Sequence, residues 1–352
     1  MTSANIPTNL AAKCLAGLAG VWLAVAQAHA QDAVAQFYRG KQVRIVVGTG
    51  AGGGYDAYSR LIARHMFKHI PGNPSVIVTN MPGAGSNTAA NHIYSIAPKD
   101  GTQIGSVFAG ALIEPLTSNN AVQFDPSRFQ FLGSANDDVY VCIARKDAAP
   151  QTFKDVFEKE ITLGASGSSS SAEVATLLKN LIATRFKIVL GYVGSRSIAL
   201  AIERNEVQGA CGFSWPSISV TNAGWFGPSG FMRVLVQTHV KGHPELNAEK
   251  VPLVGDFARS PDERAIMELY FSHTTFGRPY VVAPEVPADR VAALRTAFMA
   301  TMMDPGFVAE ARKLGMDIDA VDGDEVQRLV GAIYAAPSGL IGKMKSALQA
   351  AN

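Results

Sequence analysis

Two short stretches decide the fold of this chain, and the first is VRIVVGTGAGGGYD at residues 43–56. The second is VIVTNMPGAGSN at residues 76–87. Each begins with an apolar run typical of a buried strand, passes through a loop containing Gly-Ala-Gly, and leads into a helix-like segment. A helix that begins after such a loop leaves unpaired backbone N–H groups at the positive end of its dipole. The two loops therefore predict a site for a carboxylate or a phosphate.

The alternation of strand and helix continues beyond these stretches. A third strand is predicted at 103–108, and the βαβαβ order is the signature of a parallel sheet covered by helices. A strand over 139–144 would lead into a second lobe that repeats the pattern. The segment 270–282 is predicted to be extended and to return the chain to the first lobe, and Asp324 to open the last helix.

Residues 1–30 have the composition of an export signal. Lys13 is the only charge before Asp32, and the 13 residues from Cys14 to Ala26 are apolar but too few to span a bilayer. Residues 28–30, Ala-His-Ala, fit a cleavage site, so cleavage is expected after Ala30. A buried core helix is the alternative, but the run has neither a polar face nor a cap. With no other long apolar stretch, the mature chain is expected to be soluble.

Amino-acid composition, net charge and chain length indicate what class of protein this is. The chain is 47% apolar and 17% charged with a net charge of +2, which describes a globular protein and argues against a nucleic-acid-binding surface. The 322 residues after the leader exceed one ordinary core and predict two lobes. Two cysteines follow the leader, Cys142 and Cys211, and both a disulfide and two buried thiols fit their apolar surroundings.

The first glycine loop also satisfies G-x-G-x-x-G through Gly48, Gly50 and Gly53, so a nicotinamide-dependent enzyme is the alternative function. That fold needs an acidic residue at the end of the second strand, where this chain has Asn80. A P-loop is excluded because no Gly-Lys-Ser or Gly-Lys-Thr follows the loop.

Two other chemistries have weaker support. The loop around Ser166 lacks the last glycine of a G-x-S-x-G nucleophile elbow, so its serines are expected to cap a helix at a cleft. His65 and His69 are spaced i, i+4, but no Glu lies between them and the pair falls at a helix end. We expect no metal, no cofactor and no enzymatic activity.

A few charged and aromatic side chains are candidates for the space between the lobes. Asp56 is expected to cap the first helix and pair with Arg60 one turn later, or else to hold a hydroxyl or ammonium group of a ligand. Arg196 and Arg278 are the cations best placed to reach that space. Trp215 and Phe108 follow strand ends, where a planar ligand could stack, although core packing is the simpler role for Phe108.

Together these stretches resemble the Bug receptors, the periplasmic solute-binding proteins of tripartite tricarboxylate transporters. Residues 46–60 are similar to the family segment P-x-x-x-G-G-G-x-D-x-x-A-R, and residues 80–87, NMPGAGSN, are similar to N-R-P-G-A-G-G-N. Shorter matches follow in the same order, and they are PKDG at 98–101, YVGS at 192–195, EVQG at 206–209 and PEVP at 284–287. The resemblance covers nearly all of the mature chain.

The resemblance implies a type II periplasmic-binding fold, an α/β architecture of two lobes with mostly parallel sheets joined by two crossing strands. The expected division is a signal peptide at 1–30, lobe 1 at 31–137 plus 275–352, and lobe 2 at 138–274. The implied function is capture of a small carboxylate between the lobes and its delivery to the membrane permease of such a transporter. The protein is expected to be periplasmic and monomeric, and a role in sensing is an alternative that the sequence leaves open.

The resemblance also implies the ligand site, with loops of both lobes closing on the carboxylate. In lobe 1 the expected residues are Gly50, Ala51, Gly52, Gly53, Gly54, Tyr55, Asp56, Gly83, Ala84, Gly85, Ser86, Asn87 and Phe108. In lobe 2 they are Ser166, Gly167, Ser168, Ser169, Gly194, Ser195, Arg196 and Trp215. This chain departs from the family pattern at Thr49-Gly50-Ala51, at Met81 and at Arg196, which leaves the identity of the acid open.

Overall fold

The computed structural model describes residues 32–117, 122–167 and 169–349. The predicted leader at residues 1–30 lies outside these ranges. Among the helices within them, none combines the length and the apolar character that a membrane crossing requires.

Strands and helices alternate as the sequence predicts. The strands are β1 (Gln42–Val47), β2 (Ser75–Asn80), β3 (Gln103–Ser106), β4 (Gln130–Ser134), β5 (Tyr140–Arg145), β6 (Ile161–Gly164), β7 (Phe186–Val189), β8 (Gly209–Ser214), β9 (Met232–Gln237), β10 (Pro279–Val282) and β11 (Val321–Asp322). The first six helices are α1 (32–38), α2 (Gly54–Met66), α3 (Asn87–Asn91), α4 (Glu114–Thr117), α5 (Ser170–Ile182) and α6 (Ser195–Glu203). The others are α7 (Trp215–Thr221), α8 (Pro244–Ala248), α9 (Pro261–Phe271), α10 (Ala288–Met303), α11 (Pro305–Lys313), α12 (Gly323–Tyr334) and α13 (Ser338–Leu348).

Lobe 1 is built on a six-stranded sheet in the order β11-β4-β10-β3-β1-β2. β1 runs parallel to both β2 and β3, so the loops that follow these strands meet at one edge of the sheet. β10 is antiparallel to β3 and β4. Helix α2 covers this sheet because Tyr58, Leu61, Ile62 and Met66 recur at helical spacing and are all buried.

Lobe 2 is built on a five-stranded sheet in the order β7-β6-β8-β5-β9. β6 is parallel to β7 and β8, whereas β5 is antiparallel to β8 and β9. The α/β fold class with two lobes is confirmed, and both sheets are mixed. A disulfide joins Cys142 of β5 to Cys211 of β8, which decides between the two states that the sequence left open.

Two segments cross between the lobes side by side. Ala135 N–H donates to Arg278 O at 3.1 Å, Gly277 N–H donates to Asn136 O at 3.1 Å, and Asp138 N–H donates to Thr274 O at 2.8 Å. The two crossing segments are therefore joined by three hydrogen bonds, but residues 135–138 and 274–278 are not the strands that the resemblance led us to expect, and Thr274 belongs to a 3-10 turn. The exact lobe boundaries predicted from the sequence stay a prediction.

Two expectations about the C-terminal third are wrong. Residues 270–282 are not extended throughout, because Tyr270 and Phe271 end α9 and a 3-10 turn, Ser272–Phe276, precedes β10. The start of α9 has a recognisable sequence signal. The Ser260 hydroxyl caps the helix by accepting from Glu263 N–H, and Pro261 follows as the first helical residue. Asp324 lies in α12, which is not the last helix: α13 follows it and packs against α4 of lobe 1 and against α5 and α9 of lobe 2.

Candidate functional site

The first glycine loop is open toward solvent where it enters α2. A Cβ atom added at Gly50 or Gly52 would meet no heavy atom within 4 Å. Gly52 has a φ of +83°, which an L side chain rarely adopts, and Gly53 precedes the helix without a side-chain cap. The N–H groups of Gly54 and Tyr55, in the first turn of a 13-residue helix, have no intrahelical acceptor. This loop therefore presents the positive end of a helix to open space, as an anion site requires.

The buried Asp56 carboxylate is hydrogen-bonded to the backbone of the first glycine loop. Asp56 is 3% exposed, and its carboxylate accepts from Gly52 N–H at 2.9 Å, from Arg60 Nε at 2.9 Å and from Asn80 Nδ2 at 2.9 Å. These hydrogen bonds, the one from Arg60 first, lower the pKa of Asp56 to about 2 despite its burial. The predicted pair with Arg60 is confirmed, and the carboxylate points into the loop.

The second glycine loop is exposed from Pro82 to Gly85, and only its Ser86 side chain turns inward. Gly83, Ala84, Gly85 and Ser86 all have positive φ, at +144°, +45°, +63° and +81°. The Ser86 hydroxyl accepts from Phe108 N–H at 3.1 Å and lies 1.7 Å from the position that a Cβ atom on Gly48 would take. The helix that follows, α3, has five residues and continues as a π-helical turn. The second loop thus braces the first, and within it Gly85 faces open space.

An aromatic pair lies beside these loops. The rings of Tyr55 and Phe108 meet edge to face at 4.8 Å between centroids, and Phe108 remains 37% exposed. The Tyr55 hydroxyl donates to Gly277 O at 2.5 Å, so the pair is anchored to the crossing segment. Asn87, at the end of the second loop, donates through Nδ2 to the Glu114 carboxylate at 2.6 Å.

The serine-rich loop of lobe 2 is satisfied largely within itself. Ser166 Oγ lies 2.8 Å from Ser169 Oγ, which lies 2.9 Å from Ser171 Oγ, and Ser166 N–H donates to Ser171 Oγ at 3.0 Å. A Cβ atom at Gly167 would meet open space. Ser168 lies outside the described residues.

The Gly-Ser loop of lobe 2 opens α6. Gly194 precedes the helix, its carbonyl accepts from the Ser197 hydroxyl at 2.8 Å, and a Cβ atom added to it would meet nothing within 4 Å. Ser195 and Arg196 begin the helix and are exposed. Gly50 and Gly52 of lobe 1 and Gly167 and Gly194 of lobe 2 thus all have open space where a Cβ atom would lie.

Trp215 is packed into a buried hydrophobic cluster of lobe 2. It is 3% exposed, its indole N–H donates to the Glu245 carboxylate at 3.0 Å, and its ring packs on Phe226 at 5.0 Å. Its neighbour Ser217 instead reaches the lobe boundary, where its hydroxyl accepts from Arg278 Nη2 at 3.0 Å. Sequence reasoning did not single out Ser217, and its position one turn into α7 carries no signal of that contact.

The histidine pair serves packing between helices. His65 Nε2 lies 2.7 Å from Glu310 and His69 Nε2 lies 3.1 Å from Asp304, so both meet carboxylates at α11. Throughout 32–117, 122–167 and 169–349, no group of three His, Cys, Asp or Glu side chains is arranged to hold a metal ion.

Fold and loops together define a class of architecture: a two-lobed α/β protein in which each lobe is built on one mixed sheet. Solved structures of this class superpose along most of the chain. A TctC solute-binding protein from Polaromonas has a TM-score of 0.64 at 17% identity, covering 87% of this chain and 99% of its own. The periplasmic binding protein BugD has a TM-score of 0.63 at 20% identity, with 88% and 98% covered. An R. palustris protein solved with adipate has a TM-score of 0.64 at 20% identity, with 87% and 97% covered.

Sequence comparison reaches less far. A UPF0065 protein of Agrobacterium vitis is 28% identical over 169 residues, which are 46% of this chain and 47% of that relative. The match thus spans about half the length of the relative, and no model of a known protein family matches the chain. The resemblance to TctC and Bug receptors is confirmed at the level of the fold.

Proposed function

We propose that this protein is a solute-binding receptor that captures a small carboxylate between its two lobes. The observation that carries the proposal is the first glycine loop, in which Gly50 and Gly52 face open space just before the N-terminus of a 13-residue helix. An anion at this position would accept hydrogen bonds from the amides of Gly54 and Tyr55 and interact favourably with the helix dipole. The solved R. palustris neighbour with adipate supports a carboxylate as the ligand class.

The opposing loops complete the proposed site. Gly167 and Gly194 of lobe 2 have the same open surroundings as Gly50 and Gly52 of lobe 1, so each lobe offers backbone groups without intervening side chains. A ligand closes the lobes only if it binds the closed form better than the open one, which requires contacts from both. The proposed residues are those named from the sequence, namely 50–56, 83–87, Phe108, 166–169, 194–196 and Trp215.

The proposal also includes the location of the receptor and its membrane partner. The leader at 1–30, cleaved near Ala30, would export the chain to the periplasm, where the Cys142–Cys211 disulfide can persist. The closed, liganded form would then dock to the membrane permease of a tripartite tricarboxylate transporter. The protein would act as a monomer without a cofactor.

A thermal-shift experiment tests the proposal. The purified chain is melted with malate, adipate, citrate, benzoate or glutamate, and with NADH as the probe of the alternative enzyme. An acid present at 100 times its Kd stabilises the fold by about 2.7 kcal/mol, which raises Tm by about 5 °C. NADH is expected to leave Tm unchanged. Stabilisation by NADH without any acid would reverse the assignment to a nicotinamide-dependent enzyme.

A further inference from the structure

Arg278 occupies the boundary between the lobes. It immediately precedes β10, on the segment that returns the chain from lobe 2, and its carbonyl accepts from Ala135 N–H on the other crossing segment. Its side chain is 3% exposed and its guanidinium stacks on the Tyr58 ring of α2 at 4.2 Å. The charged group therefore lies inside the molecule, between α2 of lobe 1 and α7 of lobe 2.

The hydrogen-bonding capacity of this guanidinium is mostly unused. Nη2 donates to Ser217 Oγ at 3.0 Å, but Nε and Nη1 are buried and meet no acceptor in the part of the chain that the structure describes. The carboxylates whose charges act on Arg278 have other partners: Asp138 accepts from Ser214 Oγ at 2.7 Å, and Asp317 lies 3.3 Å from His243 Nε2. A buried guanidinium with unsatisfied donors is costly unless an anion meets it.

The guanidinium points at the N-terminus of α2. A Cβ atom on Gly54 would lie 3.4 Å from Arg278 Nη2 and 3.8 Å from Ser217 Oγ, so these polar atoms flank the first residue of the helix. Gly54 itself is exposed and Ser217 is half-buried, which makes this end of the guanidinium the one nearest to the open face of the first glycine loop. Burial opposes the charge of Arg278, but Asp138 and the neighbouring tyrosines keep its pKa above the ordinary value.

We propose that Arg278 is the cation that binds the carboxylate of the ligand, with one carboxylate oxygen between the α2 amides and Nη2 and the other on Nη1. This inference rests on the proposed function and goes beyond it, since the glycine loops alone would bind the acid without any positive side chain. A carboxylate accepts two parallel hydrogen bonds from a guanidinium, and Nη1 and Nη2 offer that fork once Ser217 shifts from Nη2 to the ligand.

The position of Arg278 also links binding to lobe closure. An anion held there touches α2 of lobe 1, the crossing segment and Ser217 of lobe 2. Those contacts differ between open and closed arrangements because α7 moves with lobe 2. Arg278 thereby supplies the differential affinity that a closing receptor needs.

Calorimetric titration of malate, adipate, citrate, benzoate and glutamate into three proteins tests the inference. Arg278→Lys keeps the charge but loses the planar fork, and about 10-fold weaker binding is expected. The double variant Arg278→Gln/Asp138→Asn removes both buried charges together, so that neither is left uncompensated, and about 100-fold weaker binding is expected. Circular dichroism and the melting temperature without acid report whether each variant folds.

The matched control is Arg290→Gln. Arg290 also stacks on an aromatic ring, at 3.5 Å from the centroid of Phe37, but it lies on α10, away from the glycine loops. It is expected to bind each acid as the wild type does. A comparison of adipate with adipamide adds a readout that a structural role would not change: the preference of the wild type for the charged form should shrink in the double variant.

The outcomes separate the two proposals. If the folded double variant binds the acids with wild-type affinity and preference, Arg278 is a structural residue and the inference is overturned, while the receptor function stands. Should the double variant fail to fold, Arg278→Lys decides, and unchanged affinity there counts against the inference. If the wild type binds none of the five acids, the proposed function fails and this inference fails with it.

Discussion

The two glycine loops of lobe 1 share the sequence Gly-Ala-Gly and follow adjacent parallel strands, yet they differ in structure. The first leads directly into a 13-residue helix and leaves Gly50 and Gly52 facing open space. The second passes through four consecutive positive φ angles and buries the Ser86 hydroxyl under Gly48. In the proposed function the first loop meets the anion, and the second largely supports the first.

The difference lies in the residues that flank the shared motif. After the first motif, two more glycines and Asp56 let the backbone turn and then tie it to Asn80, at the end of β2. After the second motif, Ser86 takes a left-handed conformation, and its hydroxyl accepts a hydrogen bond from Phe108 N–H. A repeated motif therefore does not establish a repeated function, and the four predictions below test the division of roles.

The largest effect on stability is expected from Gly48→Ala. The new Cβ atom would lie 1.7 Å from Ser86 Oγ and 2.9 Å from Ser86 Cβ, so the brace between the loops must move. We expect a loss of about 3 kcal/mol in the free energy of unfolding, measured by urea denaturation.

Two further variants control that measurement. Gly50→Ala adds the same atom into open space and should change stability little. Adding Ser86→Gly to Gly48→Ala removes the colliding side chain and should recover part of the loss. Equal stability of Gly48→Ala and Gly50→Ala would show that the second loop does not brace the first.

The next largest effect is a loss of affinity for the acid. It is tested by comparing Gly52→Val with Gly85→Val. Both positions face open space at positive φ, +83° and +63°, so both variants carry a similar folding penalty. The Gly52 side chain would project where the anion meets bare amides, and we expect about 100-fold weaker binding of the acid that the melting experiment selects. Gly85→Val should weaken binding about 10-fold or less. Titration calorimetry measures both, and wild-type affinity in Gly52→Val would refute the first loop as the anion site.

A smaller effect on stability is expected from Asp56→Asn, which weakens the hydrogen bonds that join Gly52 of the first loop to Asn80 at the end of β2. We expect a loss of about 1 to 2 kcal/mol at pH 7, reduced from the full pKa shift because Arg60 is half exposed. The pKa of Asp56 is lowered, to about 2, so its contribution is complete above pH 4 and disappears as the pH falls toward 2. The stability difference between wild type and variant should therefore shrink on acidification from pH 5 to pH 3.

The control for Asp56 is Glu285→Gln, which removes the exposed partner of Lys99. Such a pair is screened by solvent, so no measurable change in stability is expected. A stability difference for Asp56→Asn that stays constant down to pH 3 would contradict the role assigned to the carboxylate.

The smallest effect, and the only stabilising one, is expected from Ala84→Gly. Ala84 has a φ of +45°, where glycine is favoured, so the substitution relieves strain in the second loop. The gain is partly offset by the greater freedom of glycine in the unfolded chain, which leaves about 0.5 kcal/mol. Ala183→Gly, at +59° beyond the end of α5, is the matched control far from the site. Differential scanning calorimetry should show a slightly higher Tm for both variants. A lower Tm for Ala84→Gly alone would show that Ala84 is not strained in the wild type.

Much of the architecture was predictable because it depends on local patterns. Apolar runs that end in glycine loops predict β1, β2 and their parallel pairing. Ser260-Pro261 is a recognisable start signal for α9, and the end of that helix at Phe271 shortens the extended segment expected at 270–282. The disulfide could not be inferred, since only the tertiary fold brings Cys142 and Cys211 together across adjacent strands.

The site was predictable only in outline. The position of the open loop follows from the motif, but the burial of the Ser86 side chain in the second loop depends on its contact with Gly48, which follows the neighbouring strand. The burial of Arg278 depends on three elements distant in sequence, because Tyr58, Ser217 and the crossing segment enclose it. Such contacts leave no periodic signal in a single sequence.

The C-terminal helix has a practical consequence for observing this molecule at work. Because α13 contacts α4 on one side and α5 and α9 on the other, with Asn180 Nδ2 donating to Ala347 O at 3.0 Å, it spans the seam between the lobes. Any rotation of one lobe past the other must tilt or slide this helix. If the lobes close as proposed, a fluorophore or spin label on the outer face of α13 would report that motion, and a bulky group attached after this helix would be expected to hinder it.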